Sequence, residues 1–120
     1  DAAVPVPCPG LMELVEVCDF EGAKEYLAGV FAQIDLSHVD GVVLGCTHYP
    51  FLSGTIRKVA QELYPERDVE IIDPAPAVAR HLVDVMEAEG LTKTENQAYS
   101  ISLLSSGDDS CLKETYKRLL

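Results

Sequence analysis

The chain has 120 residues, of which 48% are apolar, so it can bury a core as one domain or as a piece of a larger protein. Its formal net charge is -11, from 20 acidic and 9 basic residues, and such a surface would repel a phosphate backbone. This charge argues against nucleic-acid binding. No run of about 18 apolar residues and no signal peptide is visible, so we expect neither a membrane span nor secretion.

The first half of the chain predicts a linker, two helices and a strand. Val4–Gly10 contains three prolines, which exclude a helix or a central strand and predict an extended entry. Leu11–Val17 predicts one or two helical turns. Asp19 can cap the following helix, whose apolar residues repeat at helical spacing: Ala23, Tyr26, Leu27, Val30, Phe31 and Ile34. The apolar, β-branched run Gly41–Gly45 predicts a buried strand.

The second half continues the alternation. The predicted elements are a helix over Ile56–Leu63, a strand over Val69–Asp73, a helix from Pro76 to Gly90, a strand over Tyr99–Leu104, a turn over Ser105–Asp108, and a last helix carrying Leu112, Tyr116 and Leu119. This order implies an α/β fold with a mainly parallel sheet. Three strands are few for such a sheet, so we expect an incomplete piece whose sheet is completed by other residues or another chain. The start at Asp1, without Met, looks like a cut or processed end.

The candidate site follows the first strand. Ligands of open α/β sheets bind outside the carboxyl ends of the strands, and Cys46, Thr47 and His48 lie there, before the helix that follows Pro50. A helix N-terminus favours an anionic thiolate and also a substrate carboxylate. From spacing and location alone we predict a reactive thiol beside an anion site.

The remaining polar residues are weaker candidates. Cys8, Cys18 and Cys111 are widely spaced and have no Cys-x-x-Cys pattern, so they are interpreted as free, inert thiols of a cytosolic protein. Cys46 and His48 would be only two ligands, and no second ligand pair is present, so no metal site is predicted.

The run Leu44–Leu52, which reads Leu-Gly-Cys-Thr-His-Tyr-Pro-Phe-Leu, closely resembles the second cysteine motif of glutamate racemases. Weaker similarities fall in the right order along nearly the whole chain: Cys8-Pro9 with Glu16 after it, Ile72–Ala75, where Pro74 stands in place of the usual Ser, and Ser105–Asp108. The family's N-terminal half, with an Asp-Ser-Gly segment and a first catalytic cysteine in a Cys-Asn-Thr run, has no counterpart here.

The resemblance implies the C-terminal portion of a two-domain racemase. Residues 1–75 would form the second, cysteine-bearing α/β domain, and residues 76–120 a return segment that packs with the absent first domain. The implied activity is cofactor-independent interconversion of L- and D-glutamate in the cytoplasm, which supplies D-glutamate for peptidoglycan. The implied partners are glutamate and the missing half of the enzyme. Without that half, we expect the chain to be inactive and to self-associate.

The resemblance also implies roles for individual residues. Inversion of a stereocentre needs one proton-transfer group on each face of the substrate. Cys46 would serve one face, and a cysteine of the missing half the other, without pyridoxal or a metal ion. Thr47 would bind the substrate carboxylate, and His48 would orient or protonate at the site. Glu16 would be an auxiliary residue that bonds to His48 or to the substrate ammonium.

Three other interpretations stay open. The chain could belong to another racemase of the aspartate/glutamate superfamily, although those generally lack the His-Tyr-Pro that follows Gly-Cys-Thr here. It could be a Cys-His thiol hydrolase or transferase with Cys46 as the nucleophile. It could also be a non-catalytic α/β module, in which Cys46 would be unreactive.

Overall fold

A computed structural model describes residues 3–93, 100–107 and 109–119, without the side chain of Cys111. The chain divides into two compact units, Asp1–Asp73 and Pro74–Leu120. In the described part, the first unit contains, in order, α1 (Leu11–Glu16), α2 (Phe20–Phe31), a 3-10 helix (Leu36–His38), β1 (Gly41–Val43), a second 3-10 helix (Tyr49–Leu52), α3 (Ser53–Leu63) and β2 (Glu70–Ile72). The second unit contains α4 (Ala75–Ala88) and α5 (Asp109–Leu119).

The short helix α1 is defined by unusual backbone at both ends. It begins after Gly10, whose φ of 89° lies in the left-handed region, and Gly10 offers no side-chain cap. At its other end Cys18 has a φ of 58°. The N–H of Cys18 donates to the Val15 carbonyl, and the N–H of Asp19 donates to the Leu14 carbonyl, as in a Schellman motif. Cysteine therefore occupies a position that usually belongs to glycine.

Helices α2 and α3 supply the core of the first unit. The Asp19 carboxylate accepts a hydrogen bond of 2.9 Å from the Gly22 N–H, so the predicted cap is confirmed. The buried side chains of α2 are Ala23, Leu27 and Phe31, and those of α3 are Ile56, Val59 and Ala60. The helix α2 ends three residues before the predicted Ile34, because the chain tightens there into i→i+3 hydrogen bonds.

The strands β1 and β2 pair in parallel, with Gly41 opposite Glu70 and Val43 opposite Ile72. Leu44 and Val69, which flank the strands, are buried, but Val43 is 65% exposed and Ile72 is 41% exposed. The prediction of a buried β1 is therefore wrong for one face of the strand. Since side chains alternate between the faces, Val43 and Ile72 share a face that the rest of this unit does not cover.

The described part of the second unit contains two helices and an irregular segment between them. Pro76 lies in the first turn of α4, as predicted, and Gly90, with a φ of 67°, ends the helix in a second Schellman arrangement. The predicted strand Tyr99–Leu104 is wrong over Ser100–Leu104, which is irregular; Tyr99 lies outside the described residues. Ile101 and Leu104 are exposed, and this segment has no strand pairing among the described residues.

The predicted fold class is confirmed: helices and strands alternate in the first unit, and its small sheet of two strands is all parallel. Two strands, not three, are formed in the described part of the chain. None of the helices described is long and apolar enough to cross a membrane.

Candidate functional site

The candidate site is a tight turn between β1 and the second 3-10 helix. The buried Leu44 anchors the start of this turn, and the N–H of Tyr49 closes it by donating to the Cys46 carbonyl over 3.1 Å. The segment therefore leaves the core at Leu44 and returns to it at the buried Leu52. Between these anchors, Gly45 and Thr47 are exposed, while Cys46 and His48 are half-buried.

Cys46 and His48 face each other across the turn. The Cys46 Sγ lies 3.9 Å from the His48 Nδ1, a long contact that is within reach of a sulfur hydrogen bond. The Thr47 Oγ1 lies 3.3 Å from the same nitrogen. A thiol and a hydroxyl therefore converge on one side of the imidazole ring.

The other ring nitrogen meets an acidic residue from a different element. The His48 Nε2 lies 3.3 Å from the Glu16 Oε1 at the end of α1. A carboxylate can only accept a hydrogen bond, so in neutral His48 it favours the tautomer protonated at Nε2. The Nδ1 is then an acceptor that can take a proton from Cys46 or Thr47. All four predicted site residues are thus brought together.

The helix N-terminus expected beside Cys46 differs from the prediction. The helix predicted to follow Pro50, with its apolar stripe over Ile56–Leu63, begins at Ser53, and the four residues Tyr49–Leu52 form a 3-10 helix first. A helix dipole acts mainly within the first turn. The hydrogen-bonding partners of His48 are therefore a better-supported source of chemistry at Cys46 than the end of α3.

Tyr49 is a member of the site that sequence reasoning missed. Its hydroxyl donates to the Cys8 carbonyl over 3.3 Å, which joins the turn to the proline-rich segment. Burial raises the pKa of Tyr49, and nearby Cys8 and Cys46 raise it further, so the hydroxyl stays a donor beyond its ordinary range. In the sequence, only the position of Tyr49 in the His-Tyr-Pro run pointed to the site. That position does not reveal that its hydroxyl donates to a backbone carbonyl.

The surroundings of Gly45 and of the other cysteines bear on what the site can bind. A Cβ added at Gly45 would meet no atom within 4 Å, so the first unit itself does not require glycine there. Cys8, Cys18 and Cys46 are free thiols in the described part of the chain. The described residues include no group of three or more His, Cys, Asp or Glu placed to hold a metal ion.

Comparison with known proteins identifies close relatives of nearly the whole chain. No family model matches. The chain is 37% identical over 95% of its length to the glutamate racemase of Bifidobacterium longum strain DJO10A, 38% identical over 97% to that of Bifidobacterium adolescentis, and 32% identical over 98% to that of Clostridium perfringens strain 13. It spans 42% to 44% of the length of these relatives. The chain is thus similar to a portion of a glutamate racemase.

Proposed function

We propose that the protein containing this chain interconverts L- and D-glutamate by proton transfer at the α-carbon. The single observation that carries the proposal is the group at the end of β1, where His48 stands between Cys46 and Glu16. The similarity to proteins named glutamate racemase supports glutamate as the substrate. The proposed cellular role is to supply D-glutamate for peptidoglycan from the cytoplasm.

In the proposed reaction the Cys46 thiolate removes the α-proton from one face of glutamate, and the C–H electron pair stays on the α-carbon. A second thiol on the opposite face then donates a proton to that carbon, which inverts the centre. After turnover one thiol has gained a proton and the other has lost one. No pyridoxal or metal ion is required by this scheme, and each thiol acts as base in one direction and as acid in the other.

The neighbours of Cys46 suit this task. With its proton on Nε2 against Glu16, His48 can accept the thiol proton at Nδ1 and leave a thiolate. Thr47, which is exposed beside Cys46, is assigned to the substrate carboxylate. The open space beside Gly45 would let a substrate approach the backbone there. Glu16 keeps its proposed auxiliary role, which is to orient His48 or to bind the substrate ammonium.

The chain alone contains one of the two thiols that the proposal needs. We assign residues 1–75 to the second domain of the racemase and residues 76–120 to a return segment against the first domain. On this assignment the opposite-face cysteine and part of the substrate pocket come from an N-terminal half. The isolated chain should therefore not racemise glutamate.

Substitution of Cys46 in the full-length protein tests the proposal. Cys46→Ala should lower racemisation by about 100 to 10,000-fold or more, the usual worth of a positioned proton-transfer group. The matched controls are Cys8→Ala, Cys18→Ala and Cys111→Ala, which should keep most of the activity. Circular dichroism of D-glutamate over time measures the rate. Near-normal racemisation by Cys46→Ala would contradict the assignment.

The same geometry supports a second candidate, a thiol hydrolase or transferase. In this function Cys46 would be the nucleophile and His48, which contacts it, the base. Glu16 contacts the other side of His48 and would orient its ring. The thiolate would attack a carbonyl carbon, form a C–S bond and expel a leaving group that takes a proton from His48. Release of the alcohol from an activated ester, followed beyond one equivalent for each Cys46, separates the two functions, because only a hydrolase or transferase passes the acyl group on and regenerates the thiol.

A further inference from the structure

Two tyrosine hydroxyls donate to neighbouring carbonyls of the proline-rich segment. The Tyr26 hydroxyl, on α2, donates to the Pro9 carbonyl over 2.9 Å. The Tyr49 hydroxyl, in the motif turn, donates to the Cys8 carbonyl over 3.3 Å. Helix α2 and the motif turn, which are distant in sequence, therefore both bind the Cys8-Pro9 dipeptide, which precedes Gly10 and the start of α1.

The segment that they hold is poorly stabilised by itself. The helix α1 has six residues, well below the about 12 to 15 at which an isolated helix becomes even marginally stable. It has no side-chain cap at Gly10, and the prolines before it lack N–H groups that could pair. Its N-terminal position must therefore be set by contacts with the rest of the unit.

The tyrosine contacts act on the first turn of α1. The Cys8 carbonyl that accepts from Tyr49 also accepts from the Leu11 N–H over 3.3 Å, so the entry to the helix and the motif turn share one acceptor. The buried Leu11 and Val15 fix the inner side of the helix in the core. Together these contacts place Glu16, the last residue of α1, within 3.3 Å of the His48 Nε2.

Both hydroxyls are protected as donors. Partial burial raises the pKa of Tyr26, and the nearby Cys8 and Glu13 raise it further. Burial likewise comes first among the causes that raise the pKa of Tyr49. Each shift is in the direction that keeps the phenol protonated, and with it the hydrogen bond to the carbonyl.

We propose that Tyr26 and Tyr49 are positioning residues that hold the Cys8-Pro9 dipeptide, and through α1 set the distance between Glu16 and His48. The effect on turnover rests on the proposed function, in which His48 takes the proton of Cys46. On this proposal the two tyrosines influence turnover through the position of Glu16.

A double-mutant cycle in the full-length protein tests the proposal. The substitutions Tyr26→Phe and Tyr49→Phe remove only the hydroxyls and keep the rings. Together they should lower kcat by roughly three- to thirtyfold, since a misplacement of 1 Å can cost up to about a hundredfold. In a Glu16→Ala background, which lacks the acceptor for the His48 Nε2–H, the same pair should have almost no further effect on kcat. Effects that multiply independently of Glu16 would overturn the proposal.

Tyr64→Phe is the matched control, because the Tyr64 hydroxyl also donates to a carbonyl, that of Ile34, over 3.0 Å in the same unit. It should leave kcat near the unsubstituted value. If it lowers kcat as much as the tyrosine pair does, general loss of stability explains both results and the positioning role is wrong.

A second readout does not depend on activity. In the 120-residue chain, Glu16→Gln should shift the ¹⁵N resonances of the His48 ring, and Tyr26→Phe with Tyr49→Phe should shift them too, while Tyr64→Phe should not. Unmoved His48 resonances in the tyrosine pair would overturn the proposal even if the protein is a racemase. A full-length protein without racemase activity would overturn the proposed function. The ¹⁵N resonances of His48 would still decide whether the two tyrosines position Glu16.

Discussion

The two nitrogens of His48 lie in different surroundings, and this asymmetry gives the ring a direction for proton transfer. Glu16 lies against Nε2, where its carboxylate favours the tautomer protonated at that nitrogen, while Cys46 and Thr47 lie against Nδ1. The contact between the two side chains is partly exposed, with 24% of the His48 side chain and 48% of the Glu16 side chain accessible. Exposed pairs of this kind stabilise a fold by about 0 to 1 kcal/mol. The contact is therefore better explained by orientation of the ring than by stability.

Cys8 differs chemically from Cys46. It has no histidine partner among its described contacts, and its thiol lies 3.5 Å from the Val6 carbonyl. Burial raises the pKa of the Cys8 thiol. Only the thiolate reacts with alkylating agents, so Cys8 should be a slow nucleophile near neutral pH.

We expect the pH midpoint for alkylation of Cys8 by iodoacetamide to be higher in the folded chain than in the chain unfolded by urea. Mass spectrometry of the digested protein gives the rate at each pH. N-acetylcysteine in the same buffers controls for the reagent. Simple shielding would lower the maximal rate without moving the midpoint, and an unmoved or lower midpoint in the folded chain would contradict the prediction.

The candidate site could be predicted from sequence only where its residues are neighbours. Cys46, Thr47 and His48 lie together because a turn at a strand end brings consecutive residues to one place. The approach of Glu16 was expected only through the family resemblance, because no spacing rule joins α1 to the motif turn. The tyrosine contacts were missed because their acceptors are backbone carbonyls, which have no side-chain signature.

At the scale of elements, α2 shows how a cap and a glycine depend on each other. The Asp19 carboxylate caps the helix through the Gly22 N–H. A Cβ at Gly22 would come within 3.0 Å of two atoms of the Asp19 carboxylate group, whereas a Cβ at Gly29, on the same helix, would meet no atom within 4 Å. Substitution of Gly22 would therefore disturb the Asp19 cap, whereas substitution of Gly29 would not.

We expect Gly29→Ala to stabilise the chain by about 0.5 to 1 kcal/mol, because alanine is a better helix former than glycine. Gly22→Ala should stabilise the chain less than Gly29→Ala does, or should destabilise it. The new methyl group displaces the Asp19 cap, which contributes about 1 kcal/mol. Urea unfolding of the two variants and of Asp19→Ala measures the difference. A Gly22→Ala variant as stable as Gly29→Ala would contradict the described cap.

The helices were easier to predict than the strands. The apolar stripes of α2 and α3 and the Pro76 and Gly90 signals of α4 are local, so the corresponding helices were confirmed. A strand needs a partner for its backbone, and Ser100–Leu104 has the composition of a strand but no paired neighbour in the described part. The exposure of Val43 and Ile72 was missed for a similar reason. A pattern of apolar residues does not say which element will cover them.

At the scale of the whole molecule, the described second unit leaves much apolar surface exposed. No residue of α4 is buried, and four of its large apolar side chains are exposed: Val78, Leu82, Val83 and Val85. Apolar faces of helices usually pack against another element. A net charge of -11 opposes association through general repulsion, but it does not remove the local gain from burying these side chains.

We expect the isolated chain to self-associate, and the mass from light scattering should exceed 13.1 kDa. Leu82→Glu should weaken the association, because Leu82 is 58% exposed on α4. Leu63→Glu is the matched control on α3, where Leu63 is 42% exposed, and it should leave the association unchanged. A monomer at all concentrations would contradict the prediction without affecting the proposed activity.

The parallel pairing of β1 with β2 has a consequence for how the site forms. The whole motif turn lies inside the loop that this pairing closes, between Val43 and Glu70. The loss of chain entropy on closing that loop must be offset by the burial of α3 and the strand ends. In a synthetic peptide of the motif, Leu44 and Leu52 have no core to be buried in, so the turn is not held and the Cys46 thiol should behave as an ordinary cysteine. The chemistry of the turn is acquired only when the first unit folds.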